Sequence, residues 1–169
     1  LLSNQRVDGL SNTQLVAKAR DFGADVVGFT ALTPSAHALP EITAGVRAAL
    51  PGALILVGGP HVSAVGADIL RKTCADAAVP GEGEIAFEQI LRRHLDGSDF
   101  SDIPGVHWRG RDGEIVSNPG SVPFIEDLDS LPFPAYDLLN LDHYWRLRPM
   151  TFVAEKGPYA ALYSSRGCP

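Results

Sequence analysis

Three short apolar runs, each closing on a turn of small residues, constrain this chain more than any other feature. They are Asp-Val-Val-Gly-Phe-Thr at 25–30, Ala-Leu-Ile-Leu-Val at 53–57 and Ala-Ala-Val at 77–79. Continuous apolar runs of this length, bounded by turn residues, fit strands buried on both faces of a parallel sheet. Helical periodicity fills the gaps between them. Ser11-Asn12-Thr13-Gln14 has the form of a capping box. Leu15, Val16, Ala19 and Phe22 follow at helical spacing, and Gly23 ends the run. Residues 36–50 read as a second helix, with Pro40 tolerable in its first turn and Leu39, Ile42, Val46 and Leu50 as its inner stripe. A third helix is expected over 62–73, with Ile69 and Leu70 inward, and a fourth over 84–95, showing Ile85, Phe87, Ile90 and Leu91. This alternation is the rhythm of an α/β protein with a doubly wound parallel sheet.

After Asp96 the character changes. Val106-His107-Trp108 and Glu114-Ile115-Val116 flank Arg111-Asp112-Gly113, a pattern that predicts a β-hairpin. Residues 117–142 are rich in Pro and Asp and read as an extended linker anchored by Phe133 and Tyr136. Tyr159-Ala-Ala-Leu-Tyr163 reads as a new strand. The expected division is an α/β domain over 1–96, a hairpin extension over 97–118, a linker over 119–157 and the start of a further domain over 158–169.

The composition narrows the function classes. Among 169 residues the net charge is −6, which argues against nucleic acid as the main partner, since phosphate contacts require clustered Lys and Arg. No apolar run approaches the roughly 18 residues that a transmembrane helix requires. Two cysteines, Cys74 and Cys168, make no disulfide framework, so a cytoplasmic setting is the expectation. Self-association is left open.

In an open α/β sheet, ligands bind beyond the carboxyl ends of the strands. Three loops occupy that edge, at 30–35, 58–63 and 80–84. Glycine permits close backbone approach there, and Ser and Thr add hydrogen-bonding groups without filling the space. From these loops alone, a ligand site and plain turn chemistry stand equally open. Neither Gly-x-Gly-x-x-Gly nor a phosphate loop ending in Gly-Lys-Ser/Thr is present, so nucleotide binding is not indicated.

The order of motifs carries a resemblance. Thr30-Ala31-Leu32-Thr33 resembles the Ser-x-Leu segment of cobalamin-binding domains. Gly58-Gly59-Pro60-His61-Val62-Ser63 resembles their Gly-Gly-x-x-x-Ser/Thr turn. Gly81-Glu82-Gly83-Glu84 is similar to the turn of vitamin B12 domains fused to radical-SAM enzymes, the group that includes anaerobic magnesium-protoporphyrin ester cyclases. Leu-Pro-Phe-Pro-Ala-Tyr-Asp at 131–137 resembles the segment joining the two domains. Ser165-Arg166-Gly167-Cys168-Pro169 looks like the opening of the radical-SAM cluster motif.

The resemblance implies a flavodoxin-like, Rossmann-like fold that binds cobalamin and works with a radical-SAM barrel of the same polypeptide. A [4Fe-4S] cluster and S-adenosylmethionine would serve that barrel, for methyl transfer or oxidative cyclisation. Thr30 would contact the cofactor's nucleotide tail, Leu32 would line its slot, and Gly58 and Gly59 would let it pass close to the backbone. Gly81, Glu82 and Gly83 would meet the nucleotide end, and Ala31, Thr33, Pro60, His61 and Val62 belong to the same turns. Cys168 would be the first thiolate of the cluster.

The Asp-x-His-x-x-Gly motif that supplies an axial histidine in other B12 domains is absent. The expectation is that the family's first two strands and that loop precede Leu1, leaving a sheet incomplete at its N-terminal side with an exposed apolar edge. His61 in a loop serves packing or the turn more often than catalysis or axial ligation, and no catalytic residue is assigned. The competing readings are a cofactor-free flavodoxin-like interaction domain and a flavin- or nucleotide-binding α/β enzyme.

Overall fold

A computed structural model of the chain describes residues 1–146. They fall into two compact units, one of Ser11–Leu131 and one of Leu1–Leu10 with the chain from Pro132 onward. Helix α1 (Gln5–Asp8) is a single turn whose Val7 amide is accepted by the Asn4 side chain at 3.3 Å.

The larger unit opens with α2 (Asn12–Phe22), started by the expected capping box. The Gln14 amide donates to Ser11 Oγ at 3.2 Å, and the Ser11 amide donates to Gln14 Oε1 at 2.9 Å. Then come β1 (Val26–Thr30), α3 (Leu39–Ala49), β2 (Leu54–Gly58), α4 (Pro60–Val65), α5 (Asp68–Lys72), β3 (Ala77–Val79), α6 (Gly83–Leu95), β4 (His107–Arg109) and β5 (Ile115–Ser117). A five-stranded sheet runs in the order β1-β2-β3-β4-β5. The first three strands are parallel, and β4 and β5 are antiparallel to their neighbours. The hairpin is therefore not an appendage. By pairing Ala77 with Trp108 it satisfies the backbone groups on the outer edge of β3.

Strand order advances in one direction from β1 to β3, so crossovers of one hand place α3, α4 and α5 on one face. That face buries Ile55, Val57 and Ala78 against Leu39, Ile42, Val46, Val62, Ile69 and Leu70, with Leu15 and Val16 of α2 beside them. The opposite face buries Leu54, Leu56, Ala77 and Val79 under Ala86 and Ile90 of α6 and under Phe100, Ile103, Val106 and Val122. β1 ends the sheet, and its residues are half-buried or exposed.

Several expectations change. Leu50 ends α3 rather than lying in its stripe, and the buried place goes to Thr43. Thr43 enters the core because its hydroxyl donates to Leu39 O at 2.7 Å and accepts the Cys74 amide at 3.1 Å. The helix expected over 62–73 is two helices. Gly66 between them has φ +56° and ψ −134°, a conformation that L side chains rarely adopt. On α6, Ala86 and Ile90 face the sheet, while Ile85 and Phe87 are 36% and 40% exposed. Phe22 lies 60% exposed at the end of α2. In the smaller unit, α7 (Leu141–Arg146) lies against α1. Phe133 there is 97% exposed and Tyr136 is also exposed, so neither anchors the segment as expected. The strand expected at 159–163 lies outside the described residues. No described helix is long and apolar enough to cross a membrane.

Polar ties hold the strand starts in register. Asp76 Oδ2 accepts the Ile55 amide at 2.7 Å, and both carboxylate oxygens accept from Arg47 Nη2 at 2.7 and 2.6 Å. The same guanidinium reaches the carbonyls of Pro51 and Ala53 through Nη1. Asp76→Ala is expected to destabilise the domain by about 2 kcal/mol, the scale of a charge-assisted hydrogen bond lost with its partner left behind. Urea denaturation compared with the unsubstituted chain measures it.

His107 supplies a pH dependence. Its Nδ1 lies 3.0 Å from Ser117 Oγ, and a Cβ built on Gly66 would lie 3.3 Å from its Nε2. Burial holds its pKa below the ordinary value of 6.5. Below that value the unfolded chain takes up the proton more readily than the folded one, so the stability contributed by neutral His107 is present above pH 6.5 and declines as pH falls through the folded pKa. His107→Gln should flatten this part of the stability–pH curve, measured by chemical denaturation between pH 5 and 8.

Candidate cofactor-binding site

The parallel strands finish level with one another. Thr30 pairs with Gly58, and Gly58 with Val79, so the three following loops leave the sheet at one lip. Backbone and side-chain bonds then join them. The Ala31 amide donates to Gly58 O at 3.2 Å, and the His61 amide donates to Ala31 O at 3.2 Å. His61 Nδ1 lies 3.3 Å from Thr33 Oγ1, across the first and second loops. Ser63 Oγ accepts the Gly81 amide at 2.9 Å and donates to Gly59 O at 3.3 Å, tying the second loop to the third.

Gly59 makes this closeness physically accessible. Its φ of +92° belongs to the region that favours glycine. A Cβ there would strike Thr30 Oγ1 and lie 3.1 Å from the Ala31 nitrogen and 3.2 Å from its oxygen. Its lack of a side chain thus lets the second loop lie against the end of β1. Gly58 is less constrained, since a Cβ on it would meet Val79 O at an ordinary 3.4 Å.

The residues picked out by sequence come together here, with different parts to play. Thr30, Thr33, Pro60 and Gly81 are exposed, and Leu32 presents 62% of its surface. Gly58, Gly59, His61, Glu82 and Gly83 are half-buried. Ala31 and Val62 are 5% and 0% exposed and sit in the core, so their side chains support the loops instead of lining the lip. Glu82 Oε2 accepts the Ile125 amide at 2.8 Å and fastens the segment after the hairpin to the third loop. Val122 of that segment lies beside Gly81. Cys168 lies outside the described residues.

Two residues not selected from the sequence complete the surface. Strand alternation puts Gly28 on the same face of β1 as Thr30, the face covered by α6. Gly28 is exposed, and a Cβ on it would meet only Phe87 Cε2, at 3.9 Å. Gly28, Thr30 and Gly58 therefore form a floor of small residues beside the exposed ring of Phe87. The signal was available: a glycine inside an apolar strand marks a close backbone approach. The groove is open, unlike an enclosed cavity. A depression of about 150 Å³ between Gln89, Arg92, Arg93, Asp102 and Ile103 lies toward the other end of α6.

This floor and lip fit a large ligand with an extended arm: shape without side-chain bulk, an apolar wall, and hydroxyls at the rim. Among the described residues no three His, Cys, Asp or Glu side chains gather as a metal site.

The chain is similar to the uncharacterized methyltransferase PH0819 of Pyrococcus horikoshii, at 29% identity over 168 residues, covering 96% of this chain and 34% of that protein. It is also similar to the cobalamin-dependent radical SAM methyltransferase TokK of Streptomyces tokunonensis, at 32% identity over 128 residues, covering 73% of this chain and 18% of that one. The chain thus spans 34% and 18% of these relatives' lengths. Its fold matches the radical S-adenosylmethionine methyltransferase TsrM of Kitasatospora setae, solved with cobalamin and a [4Fe-4S] cluster bound, with a TM-score of 0.60 and 18% identity over 72% of this chain and 23% of TsrM. Residues 4–91 match the B12 binding domain family, over half of the chain, and the protein belongs to that family.

Proposed function

We propose that this domain holds cobalamin with its nucleotide tail along the floor of Gly28, Thr30 and Gly58, between β1 and α6. The observation that carries the reading is the convergence of three small-residue loops on one lip, tied to each other and open to the groove. Thr30 and Thr33 offer hydroxyls to the tail and its amides. Leu32 and Phe87 offer apolar surface, at 62% and 40% exposure, and gain by covering it. Gly81 and Gly83 bound the far end of the slot. His61 serves the rim through its contact with Thr33.

Bound there, cobalamin would supply cobalt-centred methyl or radical chemistry, which the side chains of the lip do not themselves provide. This domain's part is to hold and orient it. In the whole protein its partner would be a radical-SAM domain of the same polypeptide, with Cys168 as the first thiolate of a [4Fe-4S] cluster and S-adenosylmethionine as co-substrate. Methyl transfer and oxidative cyclisation are the reaction classes that this arrangement serves. The pair of unpaired-by-pattern cysteines, Cys74 and Cys168, agrees with a reducing cytoplasm.

The test is titration of the purified protein with hydroxocobalamin, followed by the visible spectrum after gel filtration. Retention of a stoichiometric corrinoid is the expected result, and its absence removes the reading. Gly28→Val should fill the groove without strain in the strand, since a Cβ there would make only ordinary contact, 3.9 Å from Phe87 Cε2, and a β-branched residue suits a strand. It is expected to weaken retention at least tenfold while thermal unfolding changes little. Unchanged binding would place the tail elsewhere.

A further inference from the structure

The geometry points to Ser63 as a positioning residue that sets the width of the tail slot, an inference that rests on the reading of this groove as the cobalamin site. Ser63 lies in the first turns of α4, where its own amide donates to Gly59 O at 3.1 Å. Its hydroxyl donates to the same carbonyl at 3.3 Å, a back-bond to the residue four positions earlier that is natural for serine in a helix. The hydroxyl oxygen is then free to accept, and it takes the Gly81 amide at 2.9 Å. One side chain thus connects the carbonyl of Gly59, at the turn pressed against Thr30, to the amide of Gly81, at the opening of the third loop.

The third loop has another tie, and it pulls elsewhere. Glu82 accepts the Ile125 amide from the segment after the hairpin. With Ser63 in place, loop three is registered against the end of β2. Without it, the direct bond between the start of α4 and the third loop is lost, and the distance between Gly59 and Gly81 is released. Gly81 has φ +68° and no side chain of its own to hold it, and its amide is tied to Ser63. On the reading of this groove as the cobalamin site, the nucleotide tail would feel this distance more than the corrin ring would.

The test uses two probes, hydroxocobalamin and dicyanocobinamide, the second being a corrinoid without the nucleotide tail. Ser63→Ala is expected to weaken hydroxocobalamin about fivefold to tenfold, as the loss of one hydrogen bond implies. Cobinamide affinity should be unchanged, and the Gly81 amide should exchange faster with solvent. Ser63→Thr keeps the hydroxyl and should restore both hydroxocobalamin affinity and Gly81 protection, with thermal unfolding of each variant certifying the fold. Equal weakening of both probes, or no change in either, overturns the role of Ser63 while leaving the groove's assignment intact. Failure of the unsubstituted protein to bind hydroxocobalamin overturns both.

Discussion

The close approach of Gly59 to the end of β1 is the constraint on which the lip depends. The second loop must cross within van der Waals contact of Thr30 and Ala31, so that Ala31 can donate to Gly58 and accept from His61. Any side chain at 59 would occupy the place of Thr30 Oγ1. The strands below are equal in height because their registers align Thr30, Gly58 and Val79. A level sheet edge and one glycine contact together turn three separate loops into one surface. The core beneath is ordinary: Ile55, Val57, Leu70 and Val62 are nearly or fully buried and hold β2 and the following helices rigidly. Site precision is thus inherited from packing, and the loops add only short local bonds.

Much of this was legible in the sequence because it is local. Apolar runs, the Ser11–Gln14 capping box and the small-residue turns depend on neighbours a few residues away, and all were found. The level edge was not legible as such, because register is set by pairing between residues some 20 to 30 positions apart, such as Thr30 with Gly58. Two core residues, Ala31 and Val62, sit inside motifs that looked like lining, since a motif does not say which way a side chain faces. The break at Gly66 is similar. A helix interior containing one glycine looks tolerable in sequence, yet Gly66 takes φ +56° and ψ −134° close to His107 of β4, and the helix breaks there. The pairing of β4 with β3 also lies beyond local pattern, although it decides that the hairpin belongs to the sheet.

The segment after the hairpin gains meaning from the same accounting. Asn118 buries its amide by donating to the carbonyls of Phe100 and Ile103 at 2.5 and 2.8 Å, and accepts from Trp108 Nε1 at 3.0 Å. Phe100 meets Trp108 edge to face. Those contacts fix where the chain turns back, and Val122 and Ile125 then reach the third loop of the lip. Glu82, which looks in sequence like part of a ligand turn, spends a carboxylate oxygen on this fastening. The lip is therefore braced from below by strands and from the side by residues some forty positions later in the chain.

The use of backbone amides distinguishes this lip from a phosphate-binding loop of similar composition. Nucleotide sites in α/β folds present several N–H groups outward at a glycine turn, so that phosphate oxygens complete them. Here the amides of Ala31, His61, Ser63 and Gly81 all donate within the protein, to Gly58 O, Ala31 O, Gly59 O and Ser63 Oγ. A ligand cannot recruit them without breaking the ties that hold the loops together. Beside these four amides the lip offers the floor of Gly28, Thr30 and Gly58, the apolar surfaces of Leu32 and Phe87, and hydroxyls at the rim. Such a surface offers shape and contact area more than charge. Gly59, a residue type that in a phosphate loop would bare the backbone to the ligand, serves here to bring backbone to backbone.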